Sequence, residues 1–501
     1  MTSDLLATSA LTQSSQLTLG RAFWAVLLLV TAWKIFAAQH LAISFDEAYY
    51  FSWALSPQLS YLDHPPLVAW AMALAAKVFG DSLWTVRICP LLAGTATVLI
   101  GRILARRMYG PATGDRAGLL LALIPVLAGA GMLMTPDTLL VPCWLGAIHL
   151  TWLALEAAPR RAWALWLGVG VVAGLGMLSK YPMVLFFPAL GLYWLLVPAD
   201  RRRLFWGTLL AGLVALALFS PVLLWNADHD WVSFVKQTRH GLAPGKSPGI
   251  LQTVPEYLGG LLLVATPLLG ALMLWSAARG PWRDDRRRIF LAVLCLTVLC
   301  VFAVSSLKTR VQANWPMLAF TTAAILAAHD WTTYPQRLRR WALGLLVVLD
   351  AVAMVYLLLP PQLPLRIGSV ALDPPRIREF IVPADVAAAV SAARLRSGAD
   401  LVCPDSYQLF GLLSFYAHDL RGRLVLINEG DRRCPWIDPA AWTGRTGLLV
   451  SMRRPIRDSD IEAFATVQPF GSVDIPFKRD GVVTLNFAVG EGFSGLAGGG
   501  K

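Results

Sequence analysis

The sequence predicts a polytopic α-helical membrane protein that ends in a soluble α/β domain. Three observations carry that reading. Of 501 residues, 56% are hydrophobic and 15% charged, where a soluble domain holds about 25% charged residues. Apolar runs recur from residue 22 to residue 360, and a helix needs about 20 such residues to cross a bilayer. The net charge is +12, and nearly all of that surplus sits in short loops between the runs. These numbers exclude an ordinary soluble enzyme, a disordered chain and a collagen-like chain.

A tail of residues 1–21 precedes eleven apolar runs: 22–42, 85–105, 117–134, 137–157, 163–180, 182–198, 204–225, 255–277, 289–306, 316–329 and 340–360. Allowing for error at the margins, about 11–13 transmembrane helices are expected. The first run has too long an apolar core for a cleaved signal peptide and leads straight into polar residues of interest. The tail and the loops Arg102 to Arg116, Arg160-Arg161, Arg201 to Arg203, Arg279 to Arg288 and Arg337 to Arg340 carry 18 basic and 4 acidic residues. Basic loops stay in the cytoplasm. The N-terminus is therefore inside, and the alternate loops and everything beyond 360 are outside. The positive charge is a topology signal, and no nucleic-acid partner is expected.

Residues 65–80, opening with His64-Pro65-Pro66, are also apolar but contain Lys77. A crossing there would invert every later loop. The segment is read as an interfacial or re-entrant helix within a first outer loop, 43–84, with a short true span as the alternative. The membrane part is thus 22–360. Residues 361–501 hold 16 basic and 15 acidic residues. Ala399 to Cys403 and Arg423 to Ile427 read as strands, Val386 to Leu395 and Gln408 to His418 as helices, which gives a small α/β domain. Glu491 to Lys501 is glycine-rich and reads as a frayed tail. The six cysteines form no CxxC pair. Cys403 and Cys434 lie in the outer domain, either as a disulfide or as two separate buried thiols.

Ionisable groups at membrane level are costly and face cavities or one another. Five sets lie at span ends on the outer side. Asp46 and Glu47 begin a helix, either as caps or with one as a general base. Tyr61, Asp63 and His64 precede the proline pair, where Asp63 either caps the next helix or lines a polar site. Asp137 follows Thr135-Pro136 between two spans. Lys180 is a cation on the disfavoured side of the membrane, so it either snorkels or meets something anionic. Lys308, Arg310 and Asn314 precede Trp315-Pro316 and suit a phosphate. Together they describe a bowl fitted to a phosphate leaving group and a nucleophile that must lose a proton.

At these residues the sequence resembles the GT-C glycosyltransferases, and more narrowly the protein O-mannosyltransferase and aminoarabinose–lipid A transferase superfamily. Phe45-Asp46-Glu47-Ala48-Tyr49-Tyr50, Asp63-His64-Pro65-Pro66-Leu67 and Phe79-Gly80-Asp81-Ser82 with Arg87 carry the resemblance. Thr135-Pro136-Asp137, Leu178-Ser179-Lys180-Tyr181, Trp225-Asn226-Ala227 and Asn314-Trp315-Pro316 extend it in the family's order. Asp405 to Leu409 and Phe415-Tyr416 match more loosely.

The resemblance implies a polyprenyl-phosphate sugar donor and inverting transfer at the periplasmic face of the bacterial inner membrane, with the C-terminal domain also periplasmic. The acceptor is an envelope lipid, glycan or protein. Asp46 falls at the catalytic base and Glu47 beside it; Asp137 is the second acidic site and Lys180 the donor-phosphate cation. Where the lipid A enzymes have lysine before the proline pair, this chain has His64, as in the mannosyltransferase pattern. That difference weighs against lipid A as the acceptor. A monomer working without a cofactor is expected, the alternative being a divalent ion held by Asp46, Asp63 and Asp137. A protein O-mannosyltransferase-like enzyme is one other reading. A lipid-linked sugar transporter is another, although it would predict repeat symmetry and broken helices.

Overall fold

The computed structural model describes residues 2–242, 249–282, 285–358, 366–367, 370–371, 382–427, 439–452, 454–477 and 481–494. The chain divides into two compact units. One comprises Met1–Phe36, Leu59–Leu67 and Cys89–Val355; the other comprises Ala37–Gln58, Val68–Ile88 and Tyr356–Lys501.

The first unit is helical. By length and composition, six helices are apolar enough to cross a membrane: Gln16–His40, Leu83–Tyr109, Pro136–Glu156, Pro159–Ser179, Pro198–Ala227 and Arg286–Ser306. Ile250–Leu263 and Pro267–Ala278 would make a seventh, but they meet at 98°. Thr266 at the bend has φ +67° and the next residue is proline, which cannot continue the preceding helix. The count is lower than the eleven runs in the sequence for local reasons. Run 117–134 breaks at Pro125 into Pro111–Leu123 and Pro125–Ala130. Run 182–198 opens as a 3-10 turn and leaves an eleven-residue α-helix, Phe186–Leu196. Gln336–Leu358 is one helix of 23 residues with Arg337, Arg339 and Arg340 at its start, and beyond them it is apolar but for Asp350.

Met317–Asp330 has 14 residues, about 21 Å at 1.5 Å each. Every one of its residues but His329 is buried, as befits a helix apolar on all sides. It runs through the core of this unit with Phe290, Leu294, Val298 and Leu120. Small residues let neighbouring helices approach. A Cβ on Gly170 would lie 2.6 Å from the Val214 Cβ, and one on Gly174 2.8 Å from the Leu218 Cβ. Pro159–Ser179 therefore packs directly on Arg201–Ala227.

The second unit contains Leu67–Phe79, a helix of 13 residues and about 20 Å. That is short of the roughly 30 Å hydrocarbon core, in line with the non-spanning reading of 65–80. The helix Phe45–Ala54 packs on the helix Tyr407–Tyr416. Their backbones touch at Gly411, where a Cβ would lie 2.5 Å from the Tyr49 nitrogen.

The strands are β1 Arg366–Ile367, β2 Val370–Ala371, β3 Leu401–Pro404, β4 Gly447–Met452, β5 Phe464–Phe477 and β6 Gly481–Phe493. The larger sheet has the order β3-β4-β6-β5. β3 and β4 are parallel, and the β4–β6 and β5–β6 pairs are antiparallel. Helices Pro383–Ser397 and Tyr407–Tyr416 pack on the sheet through Val390, Leu409, Leu413, Val450 and Leu485. The α/β reading is met, but Arg423 to Ile427 is corrected, as only Leu424 bridges to Val402, and the β5–β6 hairpin is new. Pro469, Gly471 and Pro476 obscure β5 in sequence, and the register slips between Pro469 and Gly471; such residues belong on an edge strand. The expected tail is corrected at its start, because Glu491 to Phe493 complete β6; residues 495–501 lie outside the described ones. Cys403 is a free, buried thiol, and Cys434 lies outside the described residues.

Candidate active site

Polar groups in the helical unit gather at the end of the Pro136–Glu156/Pro159–Ser179 hairpin remote from Arg160 and Arg161. Thr135 caps the first helix, and Pro136 occupies its first turn. This places Asp137 at the helix start, where the dipole favours a carboxylate. Lys180 caps the other helix with its N–H on the Gly176 carbonyl. Its ammonium donates to both Asp137 oxygens, at 2.8 and 2.7 Å. Asn314 Nδ2 donates to Asp137 Oδ2 at 3.0 Å, and Ser179 Oγ to the Pro136 carbonyl at 2.6 Å. Asp137 and Lys180 are both buried. Three residues far apart in the chain and singled out from sequence thus form one corner.

The Tyr61–His64 loop is held by the amphipathic helix Val232–Leu242. Ser233, Lys236 and Gln237 lie on one face of that helix by their i, i+3, i+4 spacing. Ser233 Oγ donates to the Tyr61 carbonyl at 2.8 Å, and Gln237 to the Asp63 carbonyl at 2.8 Å. Lys236 forms an ion pair with Asp63. Asn226, fully buried, accepts from the Ser233 N–H at 3.2 Å, which gives the Trp225-Asn226-Ala227 motif a physical role. Asp230 and Trp231 turn the chain between the two helices with φ of 52° and 56°. Such conformations are costly for residues other than glycine and collect at functional sites.

His64 lies within the field of both ion pairs. Burial pushes its pKa down to about 4; Lys180 and Lys236 act in the same direction, against Asp63 and Asp137. The imidazole is therefore neutral at pH 7.

In the second unit, Asp46 and Glu47 occupy the first turn of Phe45–Ala54 and differ in exposure. Asp46 is exposed and Glu47 fully buried. Ser44 caps the helix and closes a capping box: its N–H donates to Glu47 Oε2 at 2.9 Å, and its Oγ accepts the Glu47 N–H at 3.2 Å. Arg87 Nη1 lies 3.0 Å from Glu47 Oε1, with neither side chain exposed. Arg87 Nη2 also donates to the Ala42 carbonyl, and the Ile43 N–H to the Tyr416 hydroxyl. Glu47 therefore orients the turn that presents Asp46.

Two expected phosphate ligands are exposed. Arg310 is exposed and forms a two-point pair with Glu256, at 2.7 and 2.8 Å. Lys308 is exposed in the turn after Arg286–Ser306. No group of three His, Cys, Asp or Glu side chains suited to a metal occurs among the described residues. Lys236 was not singled out in sequence, because a lysine on an amphipathic helix looks like a solvated face. Arg87 was marked only by the family pattern.

The family model for dolichyl-phosphate-mannose-protein mannosyltransferase matches residues 63–225. The chain is 26% identical over 405 residues to the lipid A galacturonosyltransferase RgtD of Rhizobium johnstonii, covering 79% of this chain and 82% of that one. It is 30% identical over 291 residues to the undecaprenyl phosphate-alpha-4-amino-4-deoxy-L-arabinose arabinosyl transferase of Pseudomonas aeruginosa, where the match spans 56% of this chain and 51% of the other. The fold matches ArnT from Cupriavidus metallidurans, solved with undecaprenyl phosphate, with a TM-score of 0.62 at 16% identity over 93% of this chain and 97% of that one.

The chain is a glycosyltransferase similar in sequence to RgtD and in fold to ArnT. It belongs with enzymes, which decides against the transporter reading, and it is a multi-pass membrane protein.

Proposed function

We propose that this glycosyltransferase moves a sugar from a polyprenyl-phosphate donor to an envelope glycolipid of the lipid A type. Transfer takes place at the periplasmic face of the inner membrane and requires one copy of the chain. The observation that carries the reading is the buried Asp137–Lys180–Asn314 corner beside Asp63, Lys236 and His64. Similarity to a galacturonosyltransferase over most of both chains supports the acceptor class.

The C1–O bond to phosphate breaks, with its electron pair going to the phosphate oxygen, and the acceptor oxygen bonds to C1 from the opposite face. Lys180 and Lys236 meet the charge that grows on the leaving phosphate, and fixed charges in a dry site lower the barrier strongly. The reading invokes no metal, because these ammonium groups supply the positive charge. Asp46 takes the acceptor proton. The sign of the donor sugar's own charge is left to the groups that line its ring.

The test is transfer by the purified chain in proteoliposomes with a polyprenyl-phosphate sugar. Asp46→Asn is expected to abolish turnover while folding as the parent does; parental activity would overturn the assignment. Mass spectrometry of envelope lipids from a deletion strain names the sugar. A mass change confined to glycoproteins would instead favour the protein O-mannosyltransferase-like reading.

A further inference from the structure

An apolar groove of about 490 Å³ lies between the helices Phe186–Leu196 and Arg201–Ala227 of the helical unit, a usual volume for a ligand cleft. Apart from Thr208, its lining side chains are aliphatic, aromatic or glycine. It follows the second helix from Leu204 to Leu216, about 18 Å at 1.5 Å per residue. Two glycines keep it open. A Cβ on Gly191 would meet nothing within 4 Å, and one on Gly212 only the edge of Phe187, at 3.8 Å. Gly170 and Gly174 differ, since a Cβ on either would press on Val214 or Leu218 of the facing helix. Glycine is unfavourable inside a helix, and at 191 and 212 no close helix contact accounts for it.

Arginines mark one end of the groove. Trp194, in its wall, donates from Nε1 to the Arg201 carbonyl at 3.2 Å, and Arg201 Nε donates to the Trp194 carbonyl at 3.1 Å. The Arg201 guanidinium lies 5.3 Å from the Trp194 ring centre. Arg201 and Arg203 otherwise bond backbone carbonyls, and Arg202 is exposed. Asp200, the adjacent carboxylate, is taken by Arg286. Among the described residues no carboxylate pairs with Arg201, Arg202 or Arg203. Unmatched cations at the mouth of an apolar groove complement an anionic head on a hydrocarbon chain.

Length and direction decide which lipid fits. One leaflet contributes about 15 Å of hydrocarbon, half of the bilayer core. The groove covers about that depth, starting from the end that the basic loops assign to the cytoplasm. In the proposed function the donor phosphate lies at the opposite end, beside Lys180, and cannot also meet these arginines.

We propose that the groove binds one acyl chain of an anionic phospholipid of the cytoplasmic leaflet, with the lipid phosphate at Arg201 and Arg202. The chain fills the space that Gly191 and Gly212 leave and braces the two helices against each other. The second acyl chain stays in the bilayer.

The experiment is native mass spectrometry of the full chain in detergent, offered equal amounts of phosphatidylglycerol and phosphatidylethanolamine with the same acyl chains. The parent is expected to retain phosphatidylglycerol with a preference of about tenfold, the scale of two arginines near an anionic head, and to melt at a higher temperature with it. Gly191→Leu with Gly212→Leu, which fills the groove, is expected to lose both the retained lipid and the thermal shift. Arg201→Gln with Arg202→Gln is expected to hold either phospholipid without preference. If the leucine variant does not fold, the arginine variant decides alone. Retention by the parent without preference, a preference unchanged in the arginine variant, or undiminished retention by a folded leucine variant would overturn the inference. Displacement of phosphatidylglycerol by an equal amount of undecaprenyl phosphate would give the groove to the donor chain and overturn it too. Sugar transfer by the parent, measured separately, stands or falls independently of these outcomes.

Discussion

Arg87 and Glu47 form an ion pair with no solvent exposure on either side chain, joining two segments forty residues apart. Removing one partner of a buried pair strands the other charge and costs about 3–5 kcal/mol. Arg87→Met is expected to lower thermal stability in a fixed detergent by about that amount. Arg87→Met with Glu47→Gln should recover part of the loss, since neither change then leaves an unmatched ion.

Lys180→Met is expected to reduce sugar transfer by about 10²–10³-fold, the effect of removing one preorganised charge-stabilising group. Lys180→Arg should retain part of the activity, because it keeps a cation opposite Asp137. Initial rates at saturating donor check this. Arg310→Ala serves as the contrast: its guanidinium is engaged by Glu256 at an exposed position, and turnover should stay near parental.

Gly411→Ala should destabilise by about 1–3 kcal/mol, the range for overpacking a filled interface. Its new methyl would sit 2.5 Å from the Tyr49 nitrogen and 2.7 Å from the Ala48 carbonyl carbon. Gly422→Ala, where nothing lies within 4 Å, should leave the melting temperature nearly unchanged.

His64 also sets a pH dependence of the ligand-free fold. Its folded pKa, about 4, lies below the ordinary histidine value of about 6.5. The unfolded chain therefore binds the proton first as pH falls. Stability is not reduced by this group above pH 6.5, and it declines as pH drops from 6.5 toward 4. His64→Gln should flatten that segment of a melting-temperature profile taken between pH 7.5 and 4.5.

The corner of Asp137, Lys180 and Asn314 was legible in sequence because a lysine on the disfavoured side of a membrane needs an anion. The partition of Asp46 from Glu47 was not, since adjacent residues on a helix differ by about 100° and only packing against Tyr407–Tyr416 says which one turns inward. Lys236 escaped notice because nothing in its own helix distinguishes a lysine that faces Asp63 from one that faces water. The number of spans is less legible for a related reason: an apolar run such as 316–329 reads the same whether lipid or protein surrounds it. The β5–β6 hairpin was hidden by the prolines that an edge strand tolerates.

The Met317–Asp330 helix, buried in its own unit along nearly its whole length, has a consequence for how the enzyme feels its bilayer. Hydrophobic mismatch acts on helices that touch acyl chains, by tilting them or thinning the lipid around them. This helix presents almost no side chain to lipid, and Asn314, three residues before it, grips Asp137. Peripheral spans are then the ones that adjust when membrane thickness changes, while the carboxylate–lysine corner keeps its spacing. Turnover in vesicles of different acyl length is accordingly expected to vary less than the tilt of the outer helices.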